Sequence, residues 1–372
     1  MNAPAAKPRK SCHLAWHVTQ RCNRSCLHCL RRTPGQAQTD LPHDACVEIL
    51  ESFIRFAKET DRDARVEFSG GNPLVREDFF DLLRRVHAHK RAGIVKHIQI
   101  LGNPETLDDA SVAALKEAEV DNFFLSIDGL EATNDALRGT GNFAAMRKGL
   151  RALVEGGIRT SMKFTLMRCN ADQLFDVIKL SLDERAHRIG IGPLMTTGGG
   201  LDLQDEALTP PQYREVLLRI IRFLDGEGQA YDNVRQRLFT QGGMYPLLYH
   251  ELGRGDEYRA FAGSRRGEGD EGPQPHSAGN VLFVVWSDGE VVVRRDMARV
   301  GWVPRDSFAD IYTHSSLLHQ LEDSANIRRL AKQEQANYVK CSACPVADLC
   351  LPGVAGTFNS QFVFAPNRHC WK

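Results

Sequence analysis

No run in this 372-residue chain approaches the ~20 apolar residues of a membrane span. The stretch from Met1 to Gln20 also lacks the apolar segment of ~7 to 15 residues that a secretion signal requires. A cytoplasmic protein with no membrane attachment is therefore expected. Neither sign of charge is in excess: 47 basic and 47 acidic residues cancel, so composition carries no footprint of nucleic-acid or lipid binding, and neither partner is expected. No internal repeat shows beyond an alternation of short β-type and longer helical runs. What the chain does have is length and 42% hydrophobic residues, enough for one large core and a smaller second domain. It also has ten cysteines. In a reducing compartment these point to metal or redox use before disulfides.

Seven of the ten cysteines fall into two groups with ligand spacing. The first is Cys22-Asn-Arg-Ser-Cys26-Leu-His-Cys29. Three thiolates can hold three corners of a [4Fe-4S] cube and leave one iron without a protein ligand, open for chemistry. The bland alternative is a zinc or structural iron-sulfur knuckle, but zinc knuckles have four ligands in two pairs, and no fourth Cys or His pair completes a site here, although His28 lies inside the loop. The second group is Cys341, Cys344, Cys350 and Cys370, with gaps of two, five and nineteen residues. Four thiolates close a cluster, leaving no open iron, and on spacing alone zinc suits them equally well. Of the remainder, Cys46 lies in a helical pattern as a buried, inert thiol, Cys12 is expected in a loop, and Cys169 follows the fifth strand.

Strands are expected at residues 13–18, 65–69, 95–101, 122–127, 160–166 and 188–193, separated by helical runs at 45–58, 77–89, 110–117, 143–155 and 171–183. Six βα units imply an α/β fold, a (βα)6 partial TIM barrel, with sites at the carboxyl ends of the strands. The first cysteine group follows the first strand and falls there. After a helix at 211–224, the segment 253–279 is rich in Gly, Arg, Asp and Glu and reads as a mobile loop or insertion. Residues 281–286 and 290–294 flank Asp288-Gly289 as a hairpin, and a helix is expected over 315–331. Three parts follow: a barrel over 1–225, a linker over 226–275 and a small extension over 276–372.

The Cys-x3-Cys-x2-Cys spacing resembles that of the radical S-adenosylmethionine (radical SAM) enzymes. There the open iron binds the amino and carboxylate groups of SAM, and one electron from the cluster cleaves the sulfonium to give a 5'-deoxyadenosyl radical that takes hydrogen from substrate. Ser69-Gly70-Gly71-Asn72-Pro73 stands where that family has Gly-Gly-Glu-Pro, which implies backbone contacts from Gly70 and Gly71 to the SAM amino group. Asn72 departs from the usual Glu and brings an uncharged acceptor. An ordinary Gly-Pro turn is the alternative for this stretch, Pro73 included. Ser126-Ile127-Asp128-Gly129 and Leu137-Arg138-Gly139 resemble elements of the peptide-modifying members. This implies that Ser126 contacts the SAM carboxylate or ribose and that Asp128 or Arg138 lies near substrate. A solvated Asp at a strand end is an equal reading for Asp128. His28 is expected beside the cluster and adenine, and Gly192 at the adenine edge. Lys163 could face the barrel interior or water, since alternation with Met162 and Phe164 selects a face without saying which.

The C-terminal group resembles the second auxiliary cluster of SPASM-domain enzymes, whose extension starts with the same kind of Asp-Gly hairpin. The places that would hold a further cluster are occupied by His276 or Ser277, Arg294 and Val354, so a reduced, twitch-like extension with one auxiliary iron-sulfur cluster is expected. The resemblance implies an enzyme that abstracts hydrogen from a residue of a ribosomally made precursor peptide, giving a crosslink, an epimer or an oxidation. It also implies an electron donor such as flavodoxin or ferredoxin. With the first strand starting near residue 13, no leader-binding domain is expected at the N-terminus, and a peptide substrate would bind the barrel mouth, the 253–279 insertion or a separate leader-binding protein. Cys169 is a candidate hydrogen-atom donor in an epimerisation, against the plainer reading of a buried thiol. The alternatives are a radical SAM dehydrogenase or ring-forming enzyme acting on a small molecule in cofactor or antibiotic biosynthesis, and a non-catalytic iron-sulfur or zinc scaffold.

Overall fold

Strand-facing alternation builds the centre of the molecule. The computed structural model describes residues 9–31, 39–240, 244–264, 280–293 and 299–322, and beyond these 333, 341, 343–346, 353–358, 361–365 and 370–371. Six strands pair parallel, each with the next: β1 (Ser11–Thr19), β2 (Asp63–Gly70), β3 (Val95–Leu101), β4 (Asn122–Ser126), β5 (Thr160–Leu166) and β6 (Arg188–Pro193). The crossovers are the helices His43–Glu59, Phe79–Arg91, Asp109–Glu117, Asn142–Glu155 and Leu174–Asp183. The fold is the α/β partial barrel expected from the βα rhythm.

One face of each strand packs under the helices. Leu14, Trp16, Val66, Phe68, Ile98, Ile100, Phe123, Leu125, Met162, Phe164, Ile189 and Ile191 all belong to one buried cluster with helix residues such as Phe53, Leu82, Leu83, Val86 and Leu150. At roughly 1.5–3 kcal/mol for each large side chain removed from water, this layer holds the sheet in register. The residues between them, at period two, lie on the other face: His13, His17, Glu67, Ser69, His97, Gln99, Ser126, Ser161, Lys163 and Thr165. Apolar packing is thus on the helix side, and the opposite face is polar.

The sheet extends past the six strands at both edges. A three-residue strand, β7 (Leu238–Thr240), pairs parallel with β6. On the far side β8 (Val281–Val285) pairs parallel with β1 and turns through Ser287-Asp288-Gly289 into antiparallel β9 (Glu290–Val292), followed by β10 (Arg299–Trp302). Order in the ten-stranded sheet is β10-β9-β8-β1-β2-β3-β4-β5-β6-β7. The expected Asp-Gly hairpin is therefore present, and it is an outgrowth of the barrel's own sheet. A separate hairpin joins β11 (Gly353–Phe358) and β12 (Gln361–Ala365).

Three local expectations change. Cys12 sits inside β1 and is fully buried, because the strand starts two residues before His13 and Cys12 shares the face of Leu14 and Trp16. Part of the segment expected as a loop is helical, Gly255–Ser264, where Arg254 ties Asp225 at 2.5 Å and Glu257 at 2.6 Å; residues 265–279 lie outside the described residues. The helix expected over 315–331 is two short ones, Phe308–His314 and Ser316–Glu322. Ser307 and Asp310 form a capping box that starts the first, and extended Ser315 breaks the run. Residues 323–331 are outside the description.

Candidate metal centre

Beyond the carboxyl end of β1 the chain turns into the segment that carries Cys22, Cys26 and Cys29. Asp40 anchors its start, accepting from Thr19 Oγ1 at 2.5 Å and from the Gln20 N–H at 2.9 Å. The Ser69-Gly70-Gly71-Asn72 turn after β2 grips the same segment: Gly71 N–H donates to Thr19 O at 2.8 Å and Asn72 N–H to Arg21 O at 2.9 Å. A Cβ on Gly71 would lie 2.0 Å from Arg21 O, and one on Gly70, at φ +129°, would lie 2.3 Å from Thr19 O. These glycines are needed so that two backbone segments can touch. Pro73 is buried at the start of the following 3-10 turn.

Asn72 is fully buried, and its amide is used within the protein. Nδ2 donates to Asn23 Oδ1 at 3.0 Å and to Thr106 Oγ1 at 3.2 Å, while Oδ1 accepts from Asn103 N–H at 3.2 Å and Leu74 N–H at 3.4 Å. Four partners satisfy an amide's capacity.

Each of the three sulfurs faces at least one N–H donor. Asn103 Nδ2 lies 3.2 Å from Cys22 Sγ, Arg138 Nη1 lies 4.0 Å from Cys26 Sγ, and Arg31 N–H lies 3.4 Å from Cys29 Sγ. Burial pushes the Cys22 and Cys26 thiols up, opposed by the Arg24 backbone and Asn103 at Cys22 and by Arg138 at Cys26. The Cys29 sulfur adds to the rise at both, and Cys22 to that at Cys26. Among the described residues no three His, Cys, Asp or Glu close around a single metal ion. Three clustered thiols, each within reach of an N–H donor, fit a larger centre, which ionises them and accepts hydrogen bonds at sulfur.

Behind Cys26 lies a buried charge network. Asp128, fully buried after β4, accepts from Thr165 N–H at 2.7 Å through Oδ1. Its Oδ2 is 2.5 Å from Arg138 Nε and 3.1 Å from His28 Nε2. Burial opposes its charge, but Arg138 and His28 outweigh this and hold the carboxyl well below the usual carboxylate range. The Asp128 backbone is fixed by Asn134 and Asn170, at 3.0 and 2.9 Å. The reading of Asp128 as a solvated turn residue is thereby corrected: a carboxylate with no exposed surface persists because the Arg138 guanidinium and the His28 ring surround it.

The other expected residues ring the same strand ends. Ser126 and Lys163 are register partners on β4 and β5. Lys163 shares the polar face, with Nζ 4.5 Å from the Phe124 ring centroid, which decides its direction. Gly192, beside Thr165, is the last residue but one of β6. Cys169 follows β5 and is exposed rather than buried; its N–H donates to Glu206 Oε2 at 2.8 Å. Partial desolvation, and then the Glu206 carboxylate, push its thiol up to about 11. In the C-terminal group, Cys344 N–H donates to Cys341 O at 3.2 Å, and Cys344 and Cys370 pack against the main core. Cys350 lies outside the described residues, as do His276, Ser277 and Arg294, and so does the Val354 side chain. Asn103, Glu206 and Arg31, whose guanidinium stacks 4.2 Å over Trp286, had no motif to announce them.

Residues 16–180 match the Radical SAM superfamily. With the cysteine loop at the mouth of a partial barrel, this defines the class of that part of the chain: residues 16–180 carry a radical SAM domain. Enzymes of that superfamily bind a [4Fe-4S] cluster and SAM. The chain is 30% identical over 223 residues to pre-heme d1 synthase of Dinoroseobacter shibae, covering 58% of this chain and 52% of that protein. It is 30% identical over 211 residues to the mycofactocin maturase MftC of Mycobacterium ulcerans, 55% of this chain and 53% of that one. Its match to Fe-coproporphyrin III synthase of Methanosarcina barkeri is 25% identical over 91% of this chain and 81% of the relative. The chain thus spans about half the length of the first and second of these. Its fold is similar to that of anSMEcpe with bound AdoMet, at TM-score 0.67 with 17% identity over 97% of this chain and 90% of the other. It is also similar to Streptococcus suis SuiB bound to the precursor peptide SuiA, at TM-score 0.66 with 14% identity over 93% and 72%. No helix among the described residues is long and apolar enough to cross a membrane.

Proposed function

We propose that this chain is a maturase that removes hydrogen from a residue of a ribosomally made peptide, in the course of a crosslink, an epimerisation or an oxidation. The observation that carries the reading is the position of the cysteine loop at the open end of a polar-lined barrel, in a chain with maturase relatives. When bound, the cluster and SAM supply an electron and a carbon radical able to abstract hydrogen. Cys22, Cys26 and Cys29 hold the cluster, and Asn103, Arg138 and the Arg31 N–H steady their sulfurs. Ser126 at the end of β4, Lys163 within β5 and Gly192 near the end of β6 hold SAM, with His28 against the cluster side. Asn72, its amide engaged, acts by fixing the loop. The barrel mouth excludes water and fixes one C–H bond in reach.

Cys341, Cys344, Cys350 and Cys370 hold one auxiliary iron-sulfur cluster, which takes the second electron or binds substrate. A flavodoxin or ferredoxin reduces the enzyme. Anaerobic incubation with SAM, dithionite and candidate precursor peptides should release 5'-deoxyadenosine and shift a peptide mass. Release without any peptide change across peptides encoded beside the chain would count against the reading. Iron analysis after reconstitution should give about eight irons per chain, and about twelve would break the one-auxiliary-cluster assignment.

A second reading has one observation in its favour. One relative, covered over 81% of its length, is an Fe-coproporphyrin III synthase, which suits a small-molecule reaction instead. Turnover of an iron porphyrin in the same assay, with no peptide modified, would select it.

A further inference from the structure

We propose that Arg138 sets the reduction potential of the three-cysteine [4Fe-4S] centre by holding a buried positive charge against Cys26, with Asp128 behind it limiting the effect. The inference rests on the iron-sulfur assignment of Cys22, Cys26 and Cys29 and is independent of whether the substrate is a peptide.

The guanidinium is nearly buried, with 12% of the side chain exposed, and each of its edges is assigned. Nε faces Asp128 Oδ2 at 2.5 Å, Nη2 faces His28 Nε2 at 3.4 Å, and Nη1 faces Cys26 Sγ at 4.0 Å. The positive end of the Arg138–Asp128 pair therefore points at the cluster side and the negative end points away. Reduction adds one electron, taken from an external donor, with no bond made or broken. A cation held out of water beside a ligand sulfur stabilises the added negative charge, and charge and hydrogen bonding at sulfur are established levers on cluster potential.

Anchoring the loop does not require Arg138. Leu27 N–H donates to Leu137 O at 2.9 Å, and Arg24 donates to Thr140 O at 3.1 Å and pairs with Glu105 at 2.6 Å. Three other contacts thus tie the cysteine loop to residues 137–140 and to Glu105. What Arg138 adds is charge. Asp128 keeps that charge affordable in a desolvated place, and Asp128 is itself fixed by Thr165, Asn134 and Asn170.

The two residues must then act with opposite sign, which a merely structural pair would not do. The test is an EPR-monitored redox titration of the reconstituted full chain without SAM, with the auxiliary cysteines intact and the three-cysteine signal identified by its loss in Cys26→Ala. Arg138→Gln should lower the midpoint, so that at the wild-type midpoint the ratio of reduced to oxidised cluster falls about tenfold, equivalent to ~59 mV for one electron. Asp128→Asn should raise it, and Arg138→Lys should restore most of the loss. If Arg138→Gln fails to retain iron, Arg138→Lys and Asp128→Asn still decide: midpoints that stay at wild type in Asp128→Asn, or move down in both, overturn the proposal. Absence of any EPR signal dependent on Cys26 in wild type would overturn the iron-sulfur assignment instead.

Discussion

Asn103 bridges Cys22 and Asn72: its side chain donates to the Cys22 sulfur at 3.2 Å while its backbone N–H donates to Asn72 Oδ1 at 3.2 Å. Two turns, after β2 and after β3, thereby meet the cysteine loop through one residue. The arrangement separates scaffold from sulfur chemistry.

Asn72→Ala should cost stability, because it strands the partners of a fully buried amide. Each unsatisfied buried group costs about 1–3 kcal/mol, so a fall in Tm of roughly 3–10 °C is expected for a domain of this size, together with faster loss of iron. Asn103→Ala keeps the backbone bond to Asn72 and removes a partly exposed amide that donates to Cys22 Sγ and, at 2.9 Å, to Asn23 Oδ1, so its Tm should stay within about 2 °C of wild type while iron is lost faster to a chelator. Equal melting losses in both variants would refute the division of roles. Calorimetry and chelator-challenge kinetics make the comparison.

Gly71→Ala should prevent stable cluster assembly. Its new methyl would lie 2.0 Å from Arg21 O and 2.7 Å from Gln20 O, contacts with backbone that no side-chain rotation relieves. Gly157→Ala is the control for generic glycine replacement, since nothing lies within 4 Å of its Cβ position, although its φ of +80° adds local strain. Iron bound per chain should drop severalfold in the first variant and stay near wild type in the second. A Gly71→Ala protein that holds iron normally would show that the β2 turn is not what shapes the loop.

Much of this was legible from patterning. The strands at 95–101, 160–166 and 188–193 were placed to the residue, because period-two burial on one face leaves little freedom in register. The grouping of Cys22, Cys26 and Cys29 after β1 was legible from their close spacing in sequence. What stayed hidden were contacts made across long sequence separation between loops. Nothing in a Gly-Asn-Pro turn marks Asn103 as a partner of Cys22, and nothing near Glu206 ties it to Cys169. The direction of Lys163 stayed open because period two fixes only which residues share a face; burial of Met162 and Phe164 under the helices decided it. The glycines of the β2 turn were recognised for the right property, close approach, but the structure shows them approaching Thr19 and Arg21. The joining of β8 to β1 was invisible, since the two pair across 269 residues, as in the bond of Ser11 to Asn280.

Acid should loosen the attachment of helix Ser316–Glu322 to the barrel. Glu322 accepts from Arg62 at 2.6 Å and Lys10 at 3.0 Å and also bonds the Tyr312 hydroxyl. Burial opposes its charge, but these partners prevail and bring its carboxyl from 4.5 down to about 2. A carboxylate with a depressed folded pKa contributes stability that is fully present above the unfolded value and is lost as pH falls through the folded one. The window is therefore pH 4.5 to about 2. Glu322→Gln should lower stability at pH 7 by on the order of 2 kcal/mol and flatten the decline between those limits. Denaturant melts at pH 7, 4 and 2.5 measure this, and a variant whose acid profile parallels wild type would exclude Glu322 as the titrating group.

Cys169 offers a test of whether an exposed thiol is kept protonated for use. Desolvation and the adjacent Glu206 carboxylate raise it to about 11, so at pH 8 only about one molecule in a thousand carries the thiolate, the form that reacts with alkylating agents. Labelling of Cys169 by iodoacetamide, followed by mass spectrometry of the peptide that contains it, should be slow at pH 8 and climb steeply above pH 10. Glu206→Gln removes the negative charge and should speed labelling at pH 8 severalfold. A neutral S–H is the form able to give a hydrogen atom to a carbon radical. If Cys169 has that role, Cys169→Ala should abolish a substrate modification that incorporates solvent hydrogen while leaving 5'-deoxyadenosine release intact. Retained modification in Cys169→Ala would remove the donor role, and fast labelling of wild type at pH 8 would remove the electrostatic basis for it.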